Sequence, residues 1–175
     1  MPLVLIVALL FAGPNHDPKP PPATTVLPAV SVSPGEATDD ATVSTCAQVI
    51  SGLPLTLAGL QLRRTVSNPP TSSVVAWGDP AIVLRCGVAK PKLLTPQLTI
   101  QYVGVNGVLI LPDAQKDKTV FTVVDRSVYI DLTVPSSYRQ PPLGPIADAI
   151  KKVLPTPVCV ADEKVAVSKQ CTRRK

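Results

Sequence analysis

The chain has 175 residues and a formal net charge of +5, and 45% of its residues are hydrophobic, a size that fits one small domain with flanking segments. Aromatic residues make up only 3% of the chain and the basic residues are scattered. We therefore set aside nucleic-acid binding, which needs basic residues interleaved with aromatic stacking platforms. A core with few aromatics must be built mainly from Val, Leu and Ile, and valine favours strands.

An apolar leader at residues 1–13 opens the chain, with an uninterrupted apolar run at 3–12. A helix of this length covers only about 18 Å of a ~30 Å hydrocarbon layer. The run therefore predicts either a cleaved signal peptide or part of a longer membrane anchor whose upstream residues are omitted. We favour the anchor slightly, because basic residues before the run and a small-x-small cleavage site after it are both missing. A buried cytosolic element is disfavoured, because the next thirty residues offer it no packing partner.

A proline-rich stretch follows at residues 14–42. It contains seven prolines, with Ser, Thr, Ala and acidic residues between them. Such a composition favours extended polyproline conformations and cannot build a packed core. We interpret this stretch as a disordered linker that holds a domain away from a membrane.

The predicted domain, residues 43–157, begins with a helix capped by Ser44 or Thr45 and ended by Gly52 and Pro54. Its apolar residues at i, i+3, i+4 and i+7 form one face that points Cys46 at the core. Strands are predicted at 60–66, 73–77, 81–86, 98–103, 106–111, 118–124 and 127–134.

Two turns organise these strands. Gly78-Asp79-Pro80 predicts a hairpin between 73–77 and 81–86, and Asp125-Arg126 predicts another between 118–124 and 127–134. A second helix is predicted around Pro145, with Lys151-Lys152 at its carboxyl end. The predicted fold class is therefore α+β, an antiparallel sheet packed against two helices, followed by a basic tail at 158–175 that forms a small hairpin.

An even number of cysteines behind an export-like leader predicts disulfides made outside the reducing cytosol. Four cysteines allow three connectivities. We favour Cys46–Cys86, which joins the inward faces of a helix and a strand, and Cys159–Cys171, which closes the tail. A redox motif is not indicated because no Cys-x-x-Cys occurs, and the cysteines lack the close spacing that zinc sites use.

Catalytic patterns are missing from the predicted domain. The single histidine, His16, lies in the linker, so ordinary Ser-His and Cys-His catalysis is not expected. No spacing singles out a carboxylate pair, and Gly104-Val105-Asn106-Gly107 indicates a turn rather than a phosphate-binding loop. We expect no enzyme activity, no cofactor and no metal.

Two features are candidates for binding. Arginines that converge would bind carboxylate or phosphate through bidentate hydrogen bonds, although separate solvated or ion-paired arginines are the commoner arrangement. A tryptophan at a turn could stack on a sugar or a partner, although plugging a core edge is the commoner role. The residues of this possible anion or partner surface are Arg63, Arg64, Trp77, Arg85 and Arg126.

The block Ala76-Trp77-Gly78-Asp79-Pro80 followed by Leu84-Arg85-Cys86-Gly87 resembles a family of actinobacterial exported proteins classed only as a domain of unknown function. The similarity covers about residues 44–155. It implies a membrane-anchored or secreted cell-envelope protein from a mycobacterium-like organism, and it implies no activity. The resemblance is also carried by Cys46, Leu53-Pro54, Arg63-Arg64, Asp125-Arg126, Val128-Tyr129 and Leu154-Pro155.

These features predict a non-enzymatic extracytoplasmic module, tethered by its N-terminus, that binds another envelope protein or an acidic envelope polymer. A small-molecule or anion binder that uses clustered arginines is the alternative from a different class. An unrecognised hydrolase is the least favoured alternative, because a Ser–Lys dyad has no positive support in the sequence.

Overall fold

The computed structural model describes residues 27–94, 101–155 and 157–158. These residues form two helices, α1 (Asp40–Gly52) and α2 (Leu143–Val153). They also form ten strands: β1 Val30–Ser31, β2 Thr56–Leu57, β3 Leu60–Arg63, β4 Thr65–Val66, β5 Val74–Trp77, β6 Ile82–Cys86, β7 Val103–Val105, β8 Val108–Ala114, β9 Lys118–Val123 and β10 Ile130–Pro135.

Eight of the strands form one sheet, in the order β2-β3-β5-β6-β10-β9-β8-β7. Every neighbouring pair in it is antiparallel, and the two central strands, β6 and β10, pair through Leu84 and Leu132. β1 and β4 form a separate two-stranded parallel pair. The predicted α+β class, with a mostly antiparallel sheet and two helices, is confirmed.

The two predicted hairpins, β5–β6 and β9–β10, are present. The β7–β8 turn at Asn106-Gly107 has positive φ angles of 50° and 83°, the pattern of a primed hairpin turn. β2 was not predicted from the sequence. It pairs with β3 across Ala58-Gly59, where the φ angles are again 50° and 83°, and only two of its residues are paired.

Both helices pack on one face of the sheet because the strands alternate apolar residues toward that side. The central strands contribute Leu84, Leu132 and Ile130 to this core, each no more than 3% exposed. α1 contributes Cys46 and Val49. α2 contributes Ile146, Ala147 and Ile150, and Lys151 and Lys152 lie in its last turn as predicted.

The fold begins earlier than the proline-rich composition predicts. β1 lies inside the predicted linker, where Val30 N–H donates to Arg64 O at 2.9 Å. α1 begins at Asp40 rather than after Ser44, because the Asp39 carboxylate accepts a hydrogen bond from Thr42 N–H at 2.8 Å and caps the helix. Despite their proline-rich composition, residues 27–39 supply β1, which pairs with β4, and the residue that caps α1.

Several predictions fall on residues that the structure does not describe. They are the leader at 1–13, the first part of the linker at 14–26, residues 98–100 of the strand at 98–103, and the tail hairpin with its Cys159–Cys171 bond. Among the described residues, no helix has the length and apolar character needed to cross a membrane.

Candidate functional site

The sheet face opposite the helices, here called the outer face, carries the polar residues of the central strands. A row runs across it by strand register, with Val74 on β5, Arg85 on β6, Asp131 on β10, Thr122 on β9 and Leu111 on β8. Its two ends are apolar and its middle is polar. A second apolar cluster, which includes Leu94, Leu109 and Val124, covers this face beside β8.

The middle of this row is a hydrogen-bonded network. Arg85 Nη2 lies 2.8 Å from Asp131 Oδ2, and Thr122 Oγ1 donates to Asp131 Oδ1 at 2.7 Å. The Asp131 side chain is 11% exposed, whereas that of Arg85 is 30% exposed. The buried carboxylate thus fixes the orientation of a guanidinium whose outer part reaches solvent.

Arg63 shares the outer face, because it pairs by register with Ala76, the neighbour of Val83 on β6. Its guanidinium is already occupied. It donates to Gly78 O at 2.9 Å and to Pro28 O, and it lies 3.3 Å from Asp79 Oδ1. The Arg63 side chain is 7% exposed, so it joins the first described residues to the β5–β6 turn.

Arg126 lies at one end of the sheet and is 1% exposed. It forms a 2.7 Å ion pair with Asp125 and donates to Gly107 O at 2.9 Å. Asp125 O accepts from Val158 N–H at 2.8 Å. These contacts hold the β7–β8 turn, the β9–β10 loop and Val158 together. Burial raises the pKa of the Asp125 carboxyl, against the lowering effects of a Leu109 backbone hydrogen bond and the Arg126 charge.

Trp77 is 0% exposed and donates its indole N–H to Pro54 O at 3.0 Å. It therefore fills the core next to the chain that leaves α1, and it is not part of a partner surface in this structure. Arg64 is exposed. Of the five predicted surface residues, the structure brings Arg63 and Arg85 onto one face and leaves Arg85 as the more accessible of the two.

The arginines do not share one anion pocket. Arg63, Arg85 and Arg126 have separate carboxylate partners in Asp79, Asp131 and Asp125. An opposite charge within a few ångströms neutralises much of the attraction that a free guanidinium would exert on an anion. The local arrangement thus favours paired arginines over the clustered set that the anion-binding alternative requires.

A shallow concavity of about 240 Å³ lies where α1 begins. Gly87 and Tyr129 line one side of it, and Glu36, Asp39 and Thr42 line the other. Gly87 has a φ of 74°, and its carbonyl oxygen accepts the N–H groups of Glu36 and Ala37, each at 3.0 Å. The rim of the concavity is acidic, because it carries Glu36 and Asp39. This charge is opposite to the one expected of an anion site. The backbone hydrogen bond from Thr42 lowers the pKa of Asp39, so that carboxylate serves the helix cap.

The covalent link beneath this concavity is the predicted Cys46–Cys86 disulfide. Its Cα atoms are 5.5 Å apart, and both residues are 1% exposed. It joins α1 to β6 inside the main core, so the bond is shielded from solvent on both sides. The prediction of this pair is confirmed, whereas the second predicted pair lies outside the described residues.

The partner that orients Arg85 was not predicted from the sequence, where neither Asp131 nor Thr122 was singled out. The available signal was the period of two, which places both residues on the face that carries Arg85. The sequence pattern does not show which strands are neighbours, so the contact between β6 and β10 could not be predicted. Among the described residues, no group of three or more His, Cys, Asp or Glu residues is arranged to hold a metal ion.

The fold and its buried bond define an α+β domain crosslinked by a disulfide, with a partly exposed, ion-paired arginine on the sheet face opposite the helices. The chain belongs to the family described as "Protein of unknown function (DUF3515)", whose model matches residues 1–158. The match extends beyond residues 44–155, where the resemblance was read, and it stops before Cys159. No curated protein and no solved structure matches the chain significantly.

Proposed function

We propose that this chain is an extracytoplasmic module of the cell envelope, tethered by its N-terminal apolar run, and that it works by contact with an acidic partner. The partner is an envelope protein or polymer that presents carboxylate or phosphate groups. The contact surface is the outer face, centred on Arg85. This proposal makes the chain a binding module without catalytic chemistry of its own.

The observation that carries the proposal is the buried Cys46–Cys86 bond. A disulfide of this kind persists in oxidising compartments and is rare in the cytosol, where thiols are kept reduced. The bond joins residues 40 positions apart in the main core, so it belongs to the folded state rather than to a surface loop. The apolar run at 3–12 is consistent with export to such a compartment.

Arg85 is suited to an acidic partner because its guanidinium is fixed but not covered. One of its terminal nitrogens is held by Asp131, and the side chain remains 30% exposed. A pre-oriented guanidinium loses less rotamer entropy when it forms a further hydrogen bond. Val83, Thr133 and Val120 form the next row of this face, on one side of Arg85, and are only partly buried. They offer apolar contact beside the charge.

Four of the acidic groups in the described residues have partners within the fold, which supports binding rather than catalysis. Asp131, Asp125 and Asp79 each neutralise an arginine, and Asp148 accepts a hydrogen bond from Asn106 Nδ2 at 2.8 Å. General acid–base chemistry needs a titratable group that is positioned toward a substrate and tuned near the working pH. These four carboxylates instead hold side chains of the fold.

The test is photocrosslinking in intact envelopes of the organism that makes the protein. The photocrosslinker benzoylphenylalanine replaces Val83, which lies two residues before Arg85 on β6 and on the same outer face. We expect a discrete adduct at this position, and we expect Arg85→Gln to reduce its yield about tenfold, as the loss of a charge-assisted hydrogen bond predicts.

The matched control is Arg139→Gln, which removes the same charge from an exposed arginine in the loop before α2. The yield of the adduct should not change in this variant. An adduct that survives Arg85→Gln unchanged contradicts the proposed contact face. So does labelling at position 83 that is no stronger than in a second variant with benzoylphenylalanine at position 139. A folded Arg85→Gln protein is verified by its unchanged Trp77 emission, since Trp77 lies on the opposite side of the sheet.

A further inference from the structure

The β2–β3 edge of the large sheet and the β1–β4 pair next to it gather most of the exposed large apolar side chains of the described residues. The described residues include seven such side chains, and four of them belong to β1–β4 or the chain next to these strands. Their exposed fractions are 36% for Leu27, 75% for Leu55, 44% for Leu62 and 43% for Val66. The other three, Val43, Leu93 and Val103, lie on three different segments. Single exposed leucines are ordinary, whereas a grouped set indicates an interaction surface.

Hydrogen bonds join the segments that carry these side chains. Leu62 N–H donates to Leu55 O at 3.1 Å, which continues the β2–β3 pairing. Val66 pairs by register with Ser31 on β1. The described chain enters this same edge from Leu27, three residues before β1. We call Leu27, Leu55, Leu62, Arg64 and Val66 together the edge patch.

The charge of this edge is positive. Residues 41–78 contain no Asp or Glu. Arg63 is neutralised by Asp79, but Arg64 is exposed and makes no ion pair with any residue that the structure describes. Apolar side chains beside basic residues are the combination by which proteins bind the interface of an anionic bilayer, and Arg64 supplies one such charge.

The position of the edge patch along the chain favours a bilayer over other partners. Only 14 residues, 13–26, separate the apolar run from Leu27. Even fully extended in a polyproline conformation, they span about 43 Å. A domain on so short a tether stays close to the membrane that holds its leader, and it stays there at a high effective concentration.

We propose that the edge patch lies on the surface of the anionic bilayer that holds the N-terminal apolar run. This inference rests on the proposed tether and adds a second contact with the same membrane. It orients the domain, because the β2–β3 edge and the β1–β4 pair then face the lipid. The outer face with Arg85 is left free for the partner.

The test uses the full chain reconstituted with vesicles of phosphatidylcholine and phosphatidylglycerol. Benzoylphenylalanine replaces Leu62 in one variant and Val43 in the control, because these side chains have nearly equal exposed fractions of 44% and 46%. After irradiation, mass spectrometry assigns each adduct to a lipid, to a second copy of the chain or to residues of the same chain. We expect lipid adducts to be about tenfold more frequent at position 62 than at 43.

Flotation of the vesicles separates the two proposals. A chain that floats but gives equal lipid labelling at positions 62 and 43 overturns the edge patch alone. Adducts from position 62 to a second copy, or to residues 1–26 of the same chain, also overturn it. A chain that does not float overturns the tether, and the edge patch with it. If the substitution at Leu62 disturbs the fold, as judged by Trp77 emission, the same comparison is made at Leu55.

Discussion

Removal of the Cys46–Cys86 bond is expected to lower the free energy of unfolding by about 4 kcal/mol. The bond closes a loop between residues 40 positions apart, and the loop-entropy relation gives about 4 kcal/mol for that length. Both sulfur atoms are almost fully buried, so Cys46→Ala with Cys86→Ala adds roughly 1 kcal/mol for lost packing. Small domains have only about 5–15 kcal/mol of total stability, so this loss is a large part of it.

The assay is urea unfolding followed by the emission of Trp77. It is the only tryptophan of the chain and is 0% exposed when folded, so its emission reports the main core. Cys159→Ala and Cys171→Ala form the background, because they leave one bond to remove. In that background, chemical reduction of the Cys46–Cys86 bond should give the same free energy of unfolding as Cys46→Ala with Cys86→Ala, within about 1 kcal/mol. A loss below about 1 kcal/mol on either route would refute the reasoning.

Three further changes test the contacts around the sheet. Arg126→Met leaves the carboxylate of Asp125 buried without its charge partner, so urea unfolding should show a loss of about 3–5 kcal/mol. The exposed-site control Arg139→Met should cost less than about 0.5 kcal/mol, and equal losses would contradict the role of Arg126. Burial raises the pKa of Asp125 in the folded chain. Between pH 3.8 and the raised pKa, the folded chain therefore binds more protons than the unfolded chain. Across this window the contribution of Asp125 to stability falls as the pH rises. The difference in free energy of unfolding between the parent and Asp125→Asn should therefore fall across this window. A difference that rises with pH would mean that the pKa of Asp125 is lowered in the fold rather than raised. Asp39 has a lowered pKa as the cap of α1, so Asp39→Ala should lower the melting temperature at neutral pH. This loss should shrink as the pH falls through the lowered pKa, because only a neutral hydrogen-bonding cap then remains, and a loss of the same size in acid would contradict the charged cap.

The order of most elements could be predicted because their local signals agree. The Gly78-Asp79-Pro80 turn lies between two valine- and isoleucine-rich runs, and the period of two continues through Leu84 and Cys86. α2 carries an apolar stripe, and prolines follow its carboxyl end. The inward-facing positions of Cys46 and Cys86 were sufficient to predict their bond, since each lies on the apolar side of its element.

The start of the fold could not be predicted from composition. Pro28 and Pro34 suggested a linker, yet their neighbours contribute β1 and the cap of α1. The capping signal of Asp39, followed by Thr42, was present in the sequence, but the linker interpretation reached residue 42 and obscured it. Prolines exclude a central strand position, not a two-residue strand at an edge.

The candidate site depended on strand order, which local patterns do not encode. Arg85 and Asp131 are 46 residues apart in sequence and meet only because β10 lies next to β6. The same applies to Arg63, whose partner Asp79 lies 16 residues away at the β5–β6 turn. Trp77 was at a predicted turn, where exposure was an open alternative. The contact with Pro54, on the chain leaving α1, determines its burial.

The most direct test of the central claim is the oxidation state of Cys46 and Cys86 in intact cells. Cells of the organism that makes the protein are quenched in acid, and free thiols are alkylated under denaturing conditions. After reduction, the newly exposed thiols receive a second alkylating label of different mass. We expect both cysteines to carry only the second label in an extracytoplasmic protein. If both carried the first label in freshly quenched cells, the protein would reside in a reducing compartment, and its assignment to the envelope would be wrong.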